Sequence, residues 1–233
     1  STDGGAHWQQ VYSNKTDKGW QTRGMEVTTN YDIVRDPNNP QHLFILYTDI
    51  GLFESNDGGL HWQSATGQRG IPDAWVNTCY DLVFDKAVKG RAWAAMSGIH
   101  DLPRPKMFRR HGTKAFTGGI LYTENSGREW RVVSSSIGEG AVTDLLLDEN
   151  TTVDNRTLYA CVFGKGVYKS VDGGKSWQLK NNGIAGNEPF AWRLQQKTNG
   201  DLLLIISRRS ENGSIGTEGN GSLYLSKDGA DSW

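Results

Sequence analysis

Cysteine is almost missing: the chain of 233 residues has two, Cys79 and Cys161. Both lie inside apolar, strand-like runs, NTCYDLVF and LYACVF, which favours buried free thiols over a disulfide. Charge of either sign in excess is missing too. The formal net charge is −1, so no general electrostatic pull toward nucleic acid or an anionic membrane is expected. No apolar run approaches the roughly 18 residues that a membrane-spanning helix needs. Metal-ligand spacings and cofactor fingerprints do not stand out either, and neither a metal nor a cofactor is expected.

Glycine and aromatics, by contrast, are plentiful: 29 glycines and 10% Phe, Trp and Tyr, the composition of many short strands joined by turns. One pattern recurs through the whole chain. It reads STDGGAHW from Ser1, SNDGGLHW from Ser55, TENSGREW from Thr123, SVDGGKSW from Ser170 and SKDGADSW from Ser226, with Ala230 replacing a glycine in the last copy. Successive copies begin roughly 50 to 70 residues apart, a spacing that suits a repeated four-stranded sheet. GLFES, GILYT and GVYKS each enter a copy as a short strand. Each copy is therefore a hairpin, whose hydroxyl and carboxylate bond the turn backbone. Trp8, Trp62, Trp130, Trp177 and Trp233 are expected to bury their rings between neighbouring sheets.

The pattern resembles the Asp-box, or bacterial neuraminidase repeat, of sialidases, xyloglucanases, sortilin-type receptors and a photosystem assembly factor. The resemblance implies an all-β fold, a β-propeller. The repeats then run 1–8 (partial), 9–62, 63–130, 131–177 and 178–233. Since the chain begins and stops inside box hairpins, it reads as a fragment: about four blades of a larger, seven-bladed ring, whose remaining blades are expected in the same polypeptide. Five Asn-x-Ser/Thr sites (Asn14, Asn150, Asn155, Asn212, Asn220) occur in loop-rich segments and add little.

Strand one of each blade reads 31–36, 80–85, 143–148 and 192–196; strand two reads 42–49, 91–98, 158–164 and 201–207. Adjacent strands are antiparallel, so the start of strand one and the end of strand two share one face. The boxes, between strands three and four, take the other face and cannot form an active site. At the start of strand one, Asp32, Asp81, Asp144 and Arg193 form a ring of charge around the axial mouth. At the end of strand two stand Asp49 and a long insertion, SGIHDLPRPKMFRRHGTK (97–114), carrying His100, Asp101, Arg104, Lys106, Arg109 and Arg110. Trp20, Trp75, Phe190 and Trp192 lead into strand one on the same face. Aromatic faces with carboxylates are the composition of a sugar cleft. Asp32, Asp81, His100, Arg104, Trp20, Trp75 and Trp192 are thus candidate substrate-binding residues. Plainer roles are open beside these. Asp81 and Asp144 could bond loop backbone, Trp93 and Trp192 could be core, the basic run could be a solvated loop, and Asp49 could be an ordinary turn carboxylate.

The stretch NPQHLFILYTDIGLFES (39–55) also resembles the first-blade segment of the xyloglucanase family, inverting glycoside hydrolases built from two seven-bladed propellers. The family's TDIGG aspartate is its catalytic base, and Asp49 is the matching residue. Leu52 replaces the second glycine, and the family's acid, supplied by its second propeller, has no counterpart motif here. A partner inside these residues would be Asp101, with carboxyl groups roughly 6.5–9.5 Å apart for inversion or 5–5.5 Å for retention. The leading expectation is a secreted, carbohydrate-active propeller, a glycoside hydrolase acting on an oligo- or polysaccharide. A non-catalytic propeller binding a glycan or protein is the alternative, and a sialidase the third. IVRDP around Arg35 is not the sialidase Arg-Ile-Pro motif, although the basic insertion could grip an anionic sugar.

Overall fold

The computed structural model describes residues 1–26, 28–102, 104, 116–211, 214–215 and 221–233. Pro103, Pro105, Lys106, Arg109, Arg110 and Lys114 of the insertion, the sites at Asn212 and Asn220, and the side chain of Trp20 lie outside the described residues.

A hairpin of β1 (Ser13–Thr16) and β2 (Gly19–Thr22) comes first. Four antiparallel sheets follow in chain order. Sheet one is β3 (Asn30–Arg35), β4 (Leu43–Tyr47), β5 (Leu52–Ser55) and β6 (Gln63–Ser64). Sheet two is β7 (Thr78–Phe84), β8 (Ala92–Ser97), β9 (Gly118–Thr123) and β10 (Arg131–Val132). Sheet three is β11 (Val142–Asp148), β12 (Thr157–Val162), β13 (Gly166–Ser170) and β14 (Gln178–Leu179). Sheet four is β15 (Glu188–Gln196), β16 (Leu202–Glu211), the short β17 (Ser214–Ile215) and β18 (Ser222–Ser226). Sheets one to three are meanders with strands paired in sequence order; in sheet four, β16 pairs with β15, β17 and β18. The first strands β3, β7, β11 and β15 lie side by side in that order, which sets the sheets radially about one axis. β15 starts four residues earlier than its aromatic pattern suggests, because Glu188, Pro189 and Phe190 pair with the far end of β16.

Each first strand carries an irregularity at the same place, between Asn30 and Asp32, Cys79 and Asp81, Val142 and Asp144, and Ala191 and Arg193. Such a bulge re-aims the side chain that follows it. It is what brings Asp32, Asp81, Asp144 and Arg193 to equivalent positions at one end of the axis.

The five boxes share one set of hydrogen bonds. The first hydroxyl donates to the third residue's side chain at 2.7–2.9 Å. The fifth residue's amide donates back to that hydroxyl at 2.8–3.0 Å. The seventh residue's amide donates to the Asp or Asn oxygen at 2.9–3.0 Å. Ala230 keeps the geometry with a left-handed φ of 72°.

The box tryptophan then stitches its sheet to the preceding one. Trp62, Trp130 and Trp177 are buried, at 6%, 5% and 5% exposure. Trp130 packs with Phe44, Leu46 and Leu52 of sheet one, and Trp177 with Trp93, Ala95 and Ile120 of sheet two. Trp8 departs from expectation: it is 82% exposed.

The stitch has a backbone half as well. The amides of Trp62, Trp130 and Trp233 donate to the carbonyls of Arg23, Arg69 and Asn182 just past the preceding sheet. A glycine follows each acceptor. At Gly70, with φ +85°, a Cβ would lie 2.2 Å from the Trp130 carbonyl oxygen. Gly70→Ala must therefore push the sheets apart as well as strain the backbone, and is expected to cost at least about 2 kcal/mol in urea unfolding.

Charged pairs close the same seams. Glu54 takes two hydrogen bonds from Arg69 at 2.6 and 2.8 Å, and Arg69 also donates to the Gly127 carbonyl of the next sheet. Asp85, wholly buried, takes two from Arg156 of sheet three at 2.8 and 3.0 Å. Cys79 and Cys161 are buried and free.

Candidate functional site

The axial end where the first strands begin holds the candidate residues, opposite the boxes. Asp49 follows the end of β4 and adopts a left-handed φ of 70°. In sheet three the register-equivalent residue is Gly164, with φ 80°. A carboxylate thus occupies a backbone geometry that the third blade gives to glycine, and aspartate is among the few side chains that tolerate it. Such retained strain is concentrated at functional sites. Gly51, two residues on, is pinned. Its amide donates to Asn77 O, and a Cβ there would stand 2.4 Å from the Val76 carbonyl of sheet two. The Asp49 turn is therefore clamped against the neighbouring sheet.

The Asp49 carboxylate is 48% exposed. Its Oδ2 receives long hydrogen bonds from Thr28 and Thr48, at 3.4 and 3.3 Å. Its Oδ1 meets Nδ1 of His100 from the turn beyond β8. The structure thus joins two candidates 51 positions apart in sequence, and leaves part of the carboxylate open to water. It does not have Asp49 as a carboxylate sealed among backbone donors.

Asp101 lies differently from expectation. β8 stops at Ser97, so Asp101 is in the following turn and not at the end of the strand equivalent to that of Asp49. The register equivalent of Asp49 in sheet two is Gly98. The Asp101 carboxylate accepts from Arg104 at 2.8 Å. Arg104 thereby ties this carboxylate to its own turn, and the pair anchors the turn.

The ring of charge is present, but two of its members face inward. Asp81 accepts from the amide of Leu82 at 2.8 Å and from Leu145 of the next sheet at 2.9 Å. Asp144 accepts from Leu194 of the sheet beyond at 2.5 Å, with Arg193 at 3.6 Å. Asp81 was a candidate for substrate; with both oxygens on backbone amides it laces two sheets together instead. Asp32 stays exposed and bonds only its neighbour's amide, Ile33, at 2.7 Å among the described residues.

Burial, followed by the nearby Asp81 charge, raises the Asp144 carboxyl well above its usual value, while Arg193 opposes the shift. Asp81 is raised by burial too, with Asp32 adding to it. A native-state value above the unfolded one, about 3.9, means that the folded chain binds the proton more tightly. Stability from this site is then full at low pH and falls as pH rises through the native value. Asp144→Asn removes that loss while its amide oxygen can still accept from Leu194. The variant is expected to gain stability relative to wild type as pH rises, measured by urea unfolding from pH 4 to 8.

The aromatics divide. Trp75 is 4% exposed, in a short 3₁₀ turn (Asp73–Trp75), and its indole donates to Glu139 at 3.0 Å. Its ring presses on Gly119 in the core and offers no face to a ligand. Trp93 is core as well, 1% exposed. Trp192 is half-buried and forms edge-on contacts with Tyr31, Tyr80 and Phe163, at 6.3, 5.7 and 6.4 Å between centroids. Arg193 lies over its ring at 4.5 Å. Tyr31 and Tyr80 went unnoticed in sequence because they precede the bulge aspartates as ordinary strand residues. In space they meet Trp192 across the axis, and an aromatic floor lies beside the Asp49–His100 pair.

No protein-family model matches the chain, and no curated protein matches its sequence. Solved structures do match. The GH74 enzyme of Niastella koreensis aligns with 84% of this chain at a TM-score of 0.55 and 16% identity. The GH74 xyloglucanase of Xanthomonas campestris aligns with 86% at 0.56 and 17%, and an ancestral GH74 enzyme with 80% at 0.56 and 22%. The fold is a β-propeller. This chain spans 28%, 29% and 23% of those three chains, and at such identities the likeness is one of fold. Its four sheets are propeller blades, and the Asp49–His100 pair bridges the first two on the axial face.

Proposed function

We propose that this propeller is carbohydrate-active, a glycoside hydrolase that cleaves a polysaccharide laid across the axial face outside the cytoplasm, with Asp49 as general base. One observation carries the reading. Asp49 is a half-exposed carboxylate held in a strained left-handed turn, clamped by Gly51 and met by His100 from the next blade. A base in an inverting reaction takes a proton from water on the face opposite the leaving group, and an open, oriented carboxylate can do this. Trp192, Tyr31 and Asp32 supply a half-buried aromatic edge and a free acceptor for sugar hydroxyls. The general acid is assigned to a residue outside the described ones, since Asp101 is paired with Arg104.

The second reading, a propeller that binds a glycan without cleaving it, draws on that same pairing of Asp101. A panel of β-glucans, xyloglucan and polyuronates separates the two by release of reducing ends and by affinity electrophoresis. Cleavage supports the hydrolase. Retardation without cleavage supports the binder, and neither result on any polymer refutes both.

A further inference from the structure

The turn that carries His100 is bolted to the protein from beneath. The Tyr80 hydroxyl, in a side chain 2% exposed, donates to the Ile99 carbonyl at 3.0 Å and accepts from the Leu102 amide at 3.1 Å. Burial pushes this phenol far above its ordinary value, so it stays a neutral donor. Ser97, wholly buried, adds a second bolt: its hydroxyl donates to Ile99 O at 2.9 Å and accepts from Ile99 N at 2.9 Å. Between Ile99 and Leu102 the chain has two residues, His100 and Asp101, and Asp101 takes a left-handed φ of 56°. Arg104 closes the turn through its amide to Asp101 O at 2.9 Å and through its guanidinium. His100 is thus the side chain that the bolted turn projects toward Asp49.

We propose that Tyr80 is a positioning residue for Asp49, acting through His100. Its hydroxyl fixes the 99–102 turn so that the imidazole meets one carboxylate oxygen, while the other, on two long hydrogen bonds from Thr28 and Thr48, keeps an open edge for the water to be activated. The inference rests on the hydrolase reading for its kinetic consequence, but its structural half stands apart from it. Tyr80 never touches substrate: it lies below the turn, with its ring 4.7 Å from Tyr31. Removing a bolt loosens the geometry of the base without removing the base, and misplacement of a reacting group costs rate more than binding.

Tyr80→Phe keeps the ring and removes both hydrogen bonds. In the wild-type background it is expected to lower kcat about 10-fold or more with KM unchanged, at an unfolding midpoint that still shows a folded protein. His100→Gln should lower kcat too, and the double variant should be no slower than His100→Gln alone, since the two act in series. Ser97→Ala, which removes the second bolt, should fall in the same series. Additive losses, or a KM effect instead of a kcat effect, would overturn the proposal. The His100 ring resonance in an NMR spectrum supplies a readout without turnover: Tyr80→Phe should move it as Asp49→Asn does. If the wild type cleaves no polymer, the hydrolase reading is at fault and that resonance decides alone, an unmoved signal refuting the link from Tyr80 to His100.

Discussion

On the hydrolase reading, Asp49→Asn will slow polysaccharide cleavage by about 10²–10⁴-fold, the usual contribution of a general base, while substrate binding and the unfolding midpoint stay near wild type. Asparagine tolerates the left-handed geometry nearly as well as aspartate, so the φ of 70° does not penalise the variant. Its amide oxygen can still accept from Thr28 and Thr48, which now bond Oδ2. What it cannot do is take a proton from water at neutral pH. Reducing-end kinetics beside affinity electrophoresis read both halves. Near-normal turnover would remove Asp49 from the chemistry, and a collapse of the unfolding midpoint would make its role structural.

Trp177→Ala will destabilise the propeller by about 3–5 kcal/mol, as truncation of a large buried aromatic does. The ring is 5% exposed and fills the seam of blades two and three beside Trp93, Ile120 and Tyr122. Its indole N–H donates to Val133 O at 2.9 Å and Gly174 O at 3.0 Å, and its amide donates to Ser136 at 3.0 Å. Truncation opens a cavity and leaves the Val133 carbonyl short of a partner. Val171→Ala is the matched control. It lies in the same box as Trp177 but is 58% exposed, and a surface change of this kind stays within about 0.5 kcal/mol. Equal shifts in urea midpoint for the two variants would refute the seam role of the box tryptophan.

These two residues also mark how much was legible in the sequence. The box hairpin is local, with all its bonds inside eight residues, so Ser, Asp, Gly and Trp at fixed spacing announce it. Strand one and strand two were legible from alternation and turn residues, to within a residue or two in blades one to three. Contacts between blades were not. His100 and Asp49 were each singled out, but nothing in the chain says that the turn after β8 leans back over β4. Asp81 stayed open between a ligand and loop backbone, because an aspartate beside an axial mouth looks the same whether its oxygens point to solvent or to the Leu145 amide. Trp75 was misplaced for a related reason: a short 3₁₀ turn rotates it inward, and three residues have no periodicity to reveal that. Gly51 is required by the close approach of the Val76 carbonyl, which a glycine in a turn does not announce.

The seam amides have a consequence for how the propeller comes into being. Trp130 closes on Arg69, and Trp233 on Asn182, so a blade receives its last backbone bond from the box of the blade after it. On a ribosome emitting the chain from its N-terminus, each sheet waits for roughly one further repeat before it is sealed, as repeat arrays gain their stability from nearest neighbours. Order then propagates in one direction, and the most recently made sheet is always the loose one. The Asp49 turn, pressed on Val76 and Asn77 and met by His100, acquires its shape only when blade two has formed. The candidate site is therefore a product of two successive repeats, and a nascent chain ending within blade one would carry Asp49 without the geometry that makes it useful.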